Sequence, residues 1–370
     1  MTVPPLCQVS GGEFEHLITV DRHPNGGASV VIADFLKLSS VLDAEAMQRF
    51  AKTFFAVVME EVEGRLIHVM GIIRGAASSM PDVLGHLETN YPTMNVACGN
   101  LTNPRAVSSM TMASYAQLVR RTFVGSTYRC GPMMSISLVG VRQEECGSYC
   151  NDLLDMLEAN PLLKPLLPWG EFSSATMKSR QESDFGPILW IRPGEQTIST
   201  EQQPSAKQSK PADQDTTTLA YSTPLRLSSR REVLFEDRTR PHADFVGGGI
   251  TRVPVAAVGV LKAVCNKNRN GRIVKEAVCF DSADFEKLVS LLQLDIYEPP
   301  ISQCPKWVSL GKLNQLRREG IRYSCFQLLD NDVYVIPPKV IHQFRTLSAC
   351  STIAWHIPTA RDLPSTNSPT

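Results

Sequence analysis

Histidine is scarce in this chain of 370 residues, so the positions that can bind a metal can be considered one at a time. An iron site of the facial-triad kind needs two imidazoles and one carboxylate, and it leaves the other metal positions open. On a β-strand, residues i and i+2 point to the same side, so a His-x-Asp or His-x-Glu pair supplies two of the three ligands. The seven histidines are His16, His23, His68, His86, His242, His342 and His356.

Two pairs of this kind occur. His86 and Glu88 lie in MPDVLGHLETNYP, whose pattern is helical, and residues i and i+2 diverge on a helix. His242 and Asp244 follow Pro241, which keeps its predecessor out of the helical region, so this segment is predicted to be extended. We therefore favour the second pair. A surface histidine beside an acid stays open as an alternative, because a pair this short also arises by chance.

The third ligand should come from a distant strand. His342 lies one hundred residues after His242, in VYVIPPKVIHQF, and we predict that it completes the site. His356, which follows Trp355 on the last predicted strand, is the rival, although we favour a hydrogen-bonded core histidine at that position. Tyr334 is close enough along the chain to reach the same pocket, or it packs as strand tyrosines usually do.

The elements around these residues predict a mixed α+β protein. Closely spaced strands with tight turns fill the second half and favour a barrel or jelly roll, whereas the first half mixes helices with a hairpin at 17–34. The segment after residue 195 is rich in Gln, Ser, Thr and Pro, so it cannot bury enough apolar surface to fold. We predict an N-terminal α/β part at 1–195, a flexible linker at 196–222, a jelly-roll core at 223–360 and a disordered tail at 361–370.

Composition excludes several classes of protein. Lys plus Arg and Asp plus Glu both number 37, so the net charge is zero and a uniformly basic nucleic-acid binder is excluded. None of the ten cysteines forms Cys-x-x-Cys, which argues against zinc ribbons and thioredoxin-like sites and favours free thiols in a reducing compartment. The sequence has no apolar run long enough to span a membrane and no visible secretory signal, so we expect no membrane partner.

Long strings of this sequence resemble the round spermatid basic protein family, a branch of the JmjC-type oxygenases that includes a nematode dosage-compensation relative. The resemblance covers nearly the whole chain outside the linker. The strings that carry it are HPNGGASVV (23–31), LLPWGEFSS (166–174), GPILWIRPGEQ (186–196), FEDRTRPHAD (235–244), AAVGVLKAV (256–264), KLNQLRREGIRY (312–323), QLLDNDVYVIPPKVIHQF (327–344) and LSACSTIAWHI (347–357).

This resemblance implies a JmjC-type double-stranded β-helix and a nuclear, chromatin-associated histone demethylase. Its substrate would be the dimethylated lysine at position twenty of the histone H4 tail, converted to the monomethyl form. His242, Asp244 and His342 match the family's iron-ligand positions. The reaction would use Fe(II), 2-oxoglutarate and O2 and would release formaldehyde, succinate and carbon dioxide. The partners implied are the nucleosome and a chromosome-bound regulatory complex.

Cosubstrate residues also follow from the resemblance. Related enzymes place a threonine three residues before the first histidine, which is the position of Thr239, and a lysine on a following strand, for which Lys262 is the candidate. Plain β-propensity explains Thr239 as well, and a lysine at a strand end often extends its amine to water. His-x-Asp is common among JmjC protein hydroxylases, so hydroxylation stays an alternative, as does a catalytically silent chromatin-binding module.

Charged clusters suggest two contacts, although we favour an ordinary solvated surface as the explanation of both clusters. A basic group before the ligand pair can meet nucleosomal phosphate. Acidic residues elsewhere can attract a basic histone tail. The basic group is Arg226, Arg230, Arg231, Arg238 and Arg240, and the acidic residues are Glu144, Glu145, Glu182 and Asp184.

Overall fold

The computed structural model describes residues 12–103, 106–140, 149–199, 232–247, 252–265, 271–296 and 307–359. It is a mixed α+β structure with one large, mostly antiparallel β-sheet, a smaller sheet and surrounding helices. The predicted mixed α+β class is therefore confirmed, and the arrangement is compatible with a jelly roll. No helix within the described part of the chain is both long and apolar enough to cross a membrane.

The first half contains twelve strands and five α-helices among the described residues. The strands are β1 (Thr19–Arg22), β2 (Ser29–Asp34), β3 (Glu61–Val62), β4 (Arg65–Leu66), β5 (His68–Arg74), β6 (Asn95–Cys98), β7 (Ser108–Thr111), β8 (Phe123–Val124), β9 (Thr127–Tyr128), β10 (Met133–Ser137), β11 (Ile188–Arg192) and β12 (Gln196–Ser199). The helices are α1 (Phe35–Val41), α2 (Ala44–Val58), α3 (Val83–Asn90), α4 (Met112–Thr122) and α5 (Asn151–Ala159).

The second half is richer in long strands. Its strands are β13 (Glu232–Phe235), β14 (Phe245–Val246), β15 (Val253–Pro254), β16 (Ala256–Ala263), β17 (Ile273–Phe280), β18 (Tyr323–Leu329), β19 (Val333–Ile336), β20 (His342–Thr346) and β21 (Cys350–Ile357). The helices are α6 (Phe285–Leu292) and α7 (Leu310–Arg318). Short 3-10 turns lie at Gly12–Leu17, Lys164–Leu166, Arg180–Glu182 and Ser282–Asp284.

Local sequence explains the elements that begin the chain. The predicted hairpin forms between β1 and β2, and Gly27 takes a positive φ of 78° in its turn. Helix α2 begins after Asp43, whose carboxylate accepts the Ala46 N–H at 2.8 Å and satisfies one free amide of the first turn. The apolar face of α2 then packs Phe50 and Phe54 into the main hydrophobic core.

Strands from both halves share the ten-stranded sheet, whose order is β1-β2-β5-β19-β16-β21-β11-β10-β6-β7. First-half strands flank β19, β16 and β21 on both sides, so the predicted 1–195 part continues the sheet of the predicted 223–360 core. All pairs in this sheet are antiparallel except β2 with β5. The backbone ladder therefore joins the two predicted parts directly.

A second sheet, in the order β18-β17-β20, shares one apolar cluster with the ten-stranded sheet. We call this the inter-sheet cluster. It contains, among others, Met70, Ile72, Ala257, Leu261, Ala277, Cys279, Leu328, Tyr334, Phe344 and Cys350. The free edge of β20 is bridged by the segment at 238–242, which places the predicted ligand pair beside His342.

The predicted linker requires a correction at its start. Gln196–Ser199 form β12, which pairs antiparallel with β13, so these residues belong to the folded structure. The polar composition of these residues predicted an unfolded segment. Strand pairing at a sheet edge uses backbone hydrogen bonds, so it does not require apolar side chains. The rest of the predicted linker, to residue 222, and the predicted tail at 361–370 lie outside the described residues.

Candidate metal centre

The structure brings His242, Asp244 and His342 together. One ligand atom from each residue lies within 4.8 Å of the others, which is close enough for a single metal ion to bind all three. His342 is buried, whereas His242 and Asp244 are half-buried. The group can hold a metal, and two imidazoles with one carboxylate are a donor set compatible with Fe(II).

Backbone pairing sets the distance between the two histidines. The His242 N–H donates to the His342 carbonyl at 3.0 Å, and the His342 N–H donates back at 2.8 Å. Residues that exchange both hydrogen bonds in this way point their side chains to the same face of the sheet. The two ring centres are consequently 4.4 Å apart.

One ring nitrogen of each histidine is hydrogen-bonded to a backbone carbonyl. His242 Nδ1 lies 2.7 Å from the Arg240 carbonyl, and His342 Nδ1 lies 3.1 Å from the Val340 carbonyl. A carbonyl only accepts, so Nδ1 carries the proton in both rings and Nε2 keeps its lone pair. A second hydrogen bond of this kind orients a metal-binding imidazole and fixes its tautomer. Both rings are thus prepared to offer Nε2 to a metal.

Electrostatics keep these groups in the protonation states that metal binding needs. Burial, with a smaller effect from His342, lowers the pKa of His242 to about 4, so the ring is neutral at physiological pH. Burial on its own would raise the pKa of Asp244, but the hydrogen bond with His356 and the nearby His342 bring it below its usual range. A neutral imidazole beside an ionised carboxylate is the combination that binds a metal.

His356, the rival ligand, contacts the carboxylate instead. Its Nε2 lies 3.3 Å from Asp244 Oδ1, whereas the other carboxylate oxygen, Oδ2, lies 3.8 Å from His342 Nε2. The group of three that can share an ion does not include it. In this arrangement the carboxylate connects His356 to the metal site.

Lys262 is not near the predicted site. Its ammonium donates to the Ala77 carbonyl at 3.2 Å and to Asn331 Oδ1 at 2.5 Å. As the sequence predicted, Val258 and Val260 lie on the same side of β16 as Lys262. That side, however, packs on the main hydrophobic core. The inter-sheet face carries Ala257 and Leu261 instead.

Lys275 is the lysine that the structure places between the sheets, and the sequence argument missed it. The residue is 4% exposed, and its ammonium lies over the rings of Phe344, at 5.4 Å, and Trp190, at 5.8 Å. The Phe344 ring in turn lies 5.3 Å from the ring of His342. Lys275 shares its strand face with Ala277 and Cys279, an alternation in IVKEAVCF that could have marked it as a buried cation.

The surroundings of Lys275 are short of negative charge. Burial lowers the pKa of Lys275 most, and the nearby charge of Arg192 lowers it further. Cys350 and Asp237 act in the other direction and raise this pKa. Arg192 Nη1 lies 3.8 Å from Asp237 Oδ1 and has no hydrogen-bond partner in the described structure. The buried Lys275 and the half-buried Arg192 are therefore two cations near one carboxylate, that of Asp237.

Thr239 lies on the bridging segment beside β20. Its N–H donates to the Phe344 carbonyl at 2.8 Å, and its hydroxyl oxygen accepts the Phe344 N–H at 2.8 Å. The side chain therefore serves the backbone pairing that places His242, and its hydroxyl proton remains for another acceptor. Tyr334 is buried in the inter-sheet cluster, where Gly259 makes room for its ring.

The remaining predicted residues lie elsewhere. As expected, His86 and Glu88 sit on helix α3 and diverge: His86 Nε2 lies 2.5 Å from Asp152, and Glu88 pairs with Arg120. Arg238 pairs with Glu195 at 2.7 Å, and Arg240 is buried. Glu182 and Asp184 are exposed. The other charged candidates, Arg226, Arg230, Arg231, Glu144 and Glu145, lie outside the described residues.

Comparison with models of known protein families found no match for this chain.

Proposed function

We propose that this protein is an iron(II)- and 2-oxoglutarate-dependent oxygenase that demethylates a histone lysine. The observation that carries the proposal is the convergence of His242, Asp244 and His342, which come from two segments one hundred residues apart. This donor set with open positions is typical of non-haem iron oxygenases. The ligand group alone does not select the reaction, so the substrate is inferred from the sequence resemblance.

Sheet topology supports the same proposal. The strands β19, β16, β21 and β11 are consecutive in the large sheet, and the bridging segment, β20, β17 and β18 are consecutive in the small one. Two four-stranded layers around one apolar cluster are the pattern of a jelly roll, and the double-stranded β-helix of these oxygenases is one of its forms. We propose a double-stranded β-helix for the described residues between 232 and 359, with β11 from the first half as the fourth strand of its larger layer.

Residues of this chain would hold each part of the cosubstrate and metal. The lone pairs on Nε2 of His242 and His342, with Asp244 Oδ2, would hold iron(II). The buried Lys275 and the half-buried Arg192 would hold the far carboxylate of 2-oxoglutarate, because the two cations have one carboxylate, that of Asp237, between them. This assignment puts Lys275 in the role that the sequence suggested for Lys262. Thr239 stays a second candidate through its hydroxyl proton.

When bound, iron(II) with O2 and 2-oxoglutarate supplies the oxidation that hydroxylates an N-methyl group, with formaldehyde, succinate and carbon dioxide as products. The protein's task is to hold its ligands in the right protonation states and to exclude water. Phe344, a member of the inter-sheet cluster, contacts both sides: its ring lies 5.3 Å from the ring of His342 and 5.4 Å from the Lys275 ammonium.

We further propose the dimethylated lysine at position twenty of the histone H4 tail as substrate, the nucleosome as partner and the nucleus as location. These rest on the long strings shared with the round spermatid basic protein family. The His-x-Asp form of the ligand pair favours a protein hydroxylase as the second candidate. A silent chromatin-binding module is less favoured, because all three ligands are present.

Mass spectrometry of a dimethylated H4-tail peptide separates these functions. The full chain, supplied with iron(II) and 2-oxoglutarate, should remove one methyl group only when 2-oxoglutarate is present. A stable gain of one oxygen atom would indicate hydroxylation instead. Binding of the peptide with no mass change, by a protein that has bound iron, would contradict both enzymatic functions. His342→Ala should be inactive, and His86→Ala is the matched control.

A further inference from the structure

We propose that His356 is a positioning residue that holds the Asp244 carboxylate so that only one of its oxygens can bind the metal. The inference rests on the proposed iron site and deepens it. The two oxygens of Asp244 face different imidazoles: Oδ1 is 3.3 Å from His356 Nε2, and Oδ2 is 3.8 Å from His342 Nε2. The carboxylate is thus divided between a hydrogen-bond partner and the metal group.

The location of His356 makes it a rigid partner. Strand β21 runs between β16 and β11, and His356 pairs with Ala257 in the middle of the large sheet. Its N–H donates to the Phe185 carbonyl at 2.8 Å. Its neighbours Trp355 and Ile357 are buried in the main core, so strand alternation turns His356 to the opposite face, toward Asp244.

Hydrogen-bond chemistry then fixes what Nε2 of His356 can do. An ionised carboxylate only accepts hydrogen bonds, so the contact requires the proton on His356 Nε2. A protonated Nε2 has no lone pair to give to a metal. In this arrangement His356 therefore acts on the carboxylate and not as a fourth ligand, although its ring is a third exposed and close to the site.

The consequence concerns the number of metal positions left open. A carboxylate can bind a metal through one oxygen or two. If Oδ1 were free, it could turn to the metal and occupy a position that a facial triad keeps for cosubstrate and oxygen. With Oδ1 held by His356, Asp244 fills one position only. Hydrogen-bond partners of metal ligands typically change metal affinity by 10–100-fold when removed.

Cobalt(II) binding to the full-length chain tests this role without any activity measurement. The matched variants are His356→Gln and His356→Asn, which carry the same amide donor and differ by one methylene in reach. Gln can place its N–H where Nε2 stood, and Asn is too short. We expect near-wild-type cobalt affinity and visible spectrum for H356Q. For H356N we expect an altered spectrum, because the freed Oδ1 changes the coordination of the metal, together with an affinity that differs from wild type by roughly 10–100-fold.

Other results would overturn the inference. Wild-type affinity and spectrum in H356N would mean that the hydrogen bond has no effect on the metal. Equal partial changes of cobalt affinity and spectrum in H356Q and H356N, in proteins with a wild-type melting temperature, would mean that restoring the hydrogen-bond donor has no effect on the metal. Complete loss of cobalt in both would make His356 a ligand. Should H356N fail to fold, His356→Phe takes its place in the titration, because it keeps a ring of similar size and has no hydrogen-bond donor.

The same titration separates failure of this inference from failure of the iron site. His342→Ala removes a ligand itself, so it should weaken cobalt binding on the order of 100-fold or more whatever His356 does. Unchanged binding in that variant would reject the proposed metal site, whereas normal loss there with unaffected H356N would reject only the role of His356.

Discussion

His242 and His342 form a mutual backbone bridge in which each N–H donates to the other residue's carbonyl. In such an antiparallel pair the two Cα atoms are about 5.5 Å apart and both side chains lie on one face. The backbone pairing therefore preorganises the two rings, whose centres are 4.4 Å apart.

This preorganisation predicts the effect of removing one imidazole. His342→Ala leaves the bridge intact, because the bridge uses only backbone groups, but it deletes a ligand. We expect iron(II) or cobalt(II) affinity to fall on the order of 100-fold or more, with little change in far-UV circular dichroism. Isothermal titration under anaerobic conditions measures the affinity. His86→Ala, on helix α3, should bind as the wild type does, and equal affinity in both variants would disprove the site.

The two lysines give a matched test of the cosubstrate assignment. Lys275→Met should raise the KM for 2-oxoglutarate about 30-fold or more, because losing one partner of a buried charge pair costs at least about 2 kcal/mol. Lys262→Met should leave that KM unchanged, since the Lys262 ammonium bonds to Ala77 and Asn331. Steady-state kinetics with varied 2-oxoglutarate decides between them. The reverse pattern would restore the role that the sequence suggested for Lys262.

Gly259 and Tyr334 predict a packing effect beside the site. A Cβ at position 259 would lie 2.1 Å from Tyr334 Cζ, which is far inside van der Waals contact. Gly259→Ala should therefore reduce the free energy of unfolding by about 1–3 kcal/mol. Tyr334→Leu in the same chain should recover part of that loss. Urea denaturation of the two single variants and the double variant measures the coupling, and simple additivity would contradict the predicted clash.

The ligand pair could be predicted from sequence because its signals are local. Pro241 predicts an extended start that puts His242 and Asp244 on one side, whereas the helical pattern around His86 argues against the other pair. In the structure His242 forms a single β-bridge, and Asp244 lies just before β14.

The third ligand is not local, because His342 and its rival His356 both lie on strands, and the resemblance favoured His342. The contact of His356 with the Asp244 carboxylate is visible only in the tertiary structure.

The lysine proposed to hold the cosubstrate could not be predicted in the same way. Strand β16 is apolar on both faces, with Val258 and Val260 in the main core and Ala257 and Leu261 in the inter-sheet cluster. The alternation of residues along β16 therefore assigns each side chain to one of two faces, but it does not show which face lies between the sheets. Only the tertiary arrangement shows that Lys262 is on the outer side and that Lys275, on β17, is on the inner one.

A buried histidine far from the ligand group predicts how stability depends on pH. His68 is 4% exposed, and burial, with a smaller effect from Arg22, lowers its pKa to about 4. The unfolded chain keeps the ordinary value of 6.5 and so takes up a proton more readily below that pH. The contribution of neutral His68 is thus fully present above pH 6.5 and is lost as pH falls toward 4. Between pH 7 and pH 5 this loss amounts to about 2 kcal/mol.

His68→Asn isolates that contribution. The amide keeps an N–H for Ser29, whose hydroxyl oxygen lies 3.0 Å from His68 Nδ1, but it does not titrate. The free energy of unfolding from urea denaturation should therefore fall about 2 kcal/mol less between pH 7 and pH 5 in this variant than in the wild type. His16→Asn, at an exposed histidine, should retain the wild-type pH dependence. Parallel curves for wild type and H68N would mean that folding does not lower the pKa of His68, and the predicted effect of its burial beside Arg22 would be wrong.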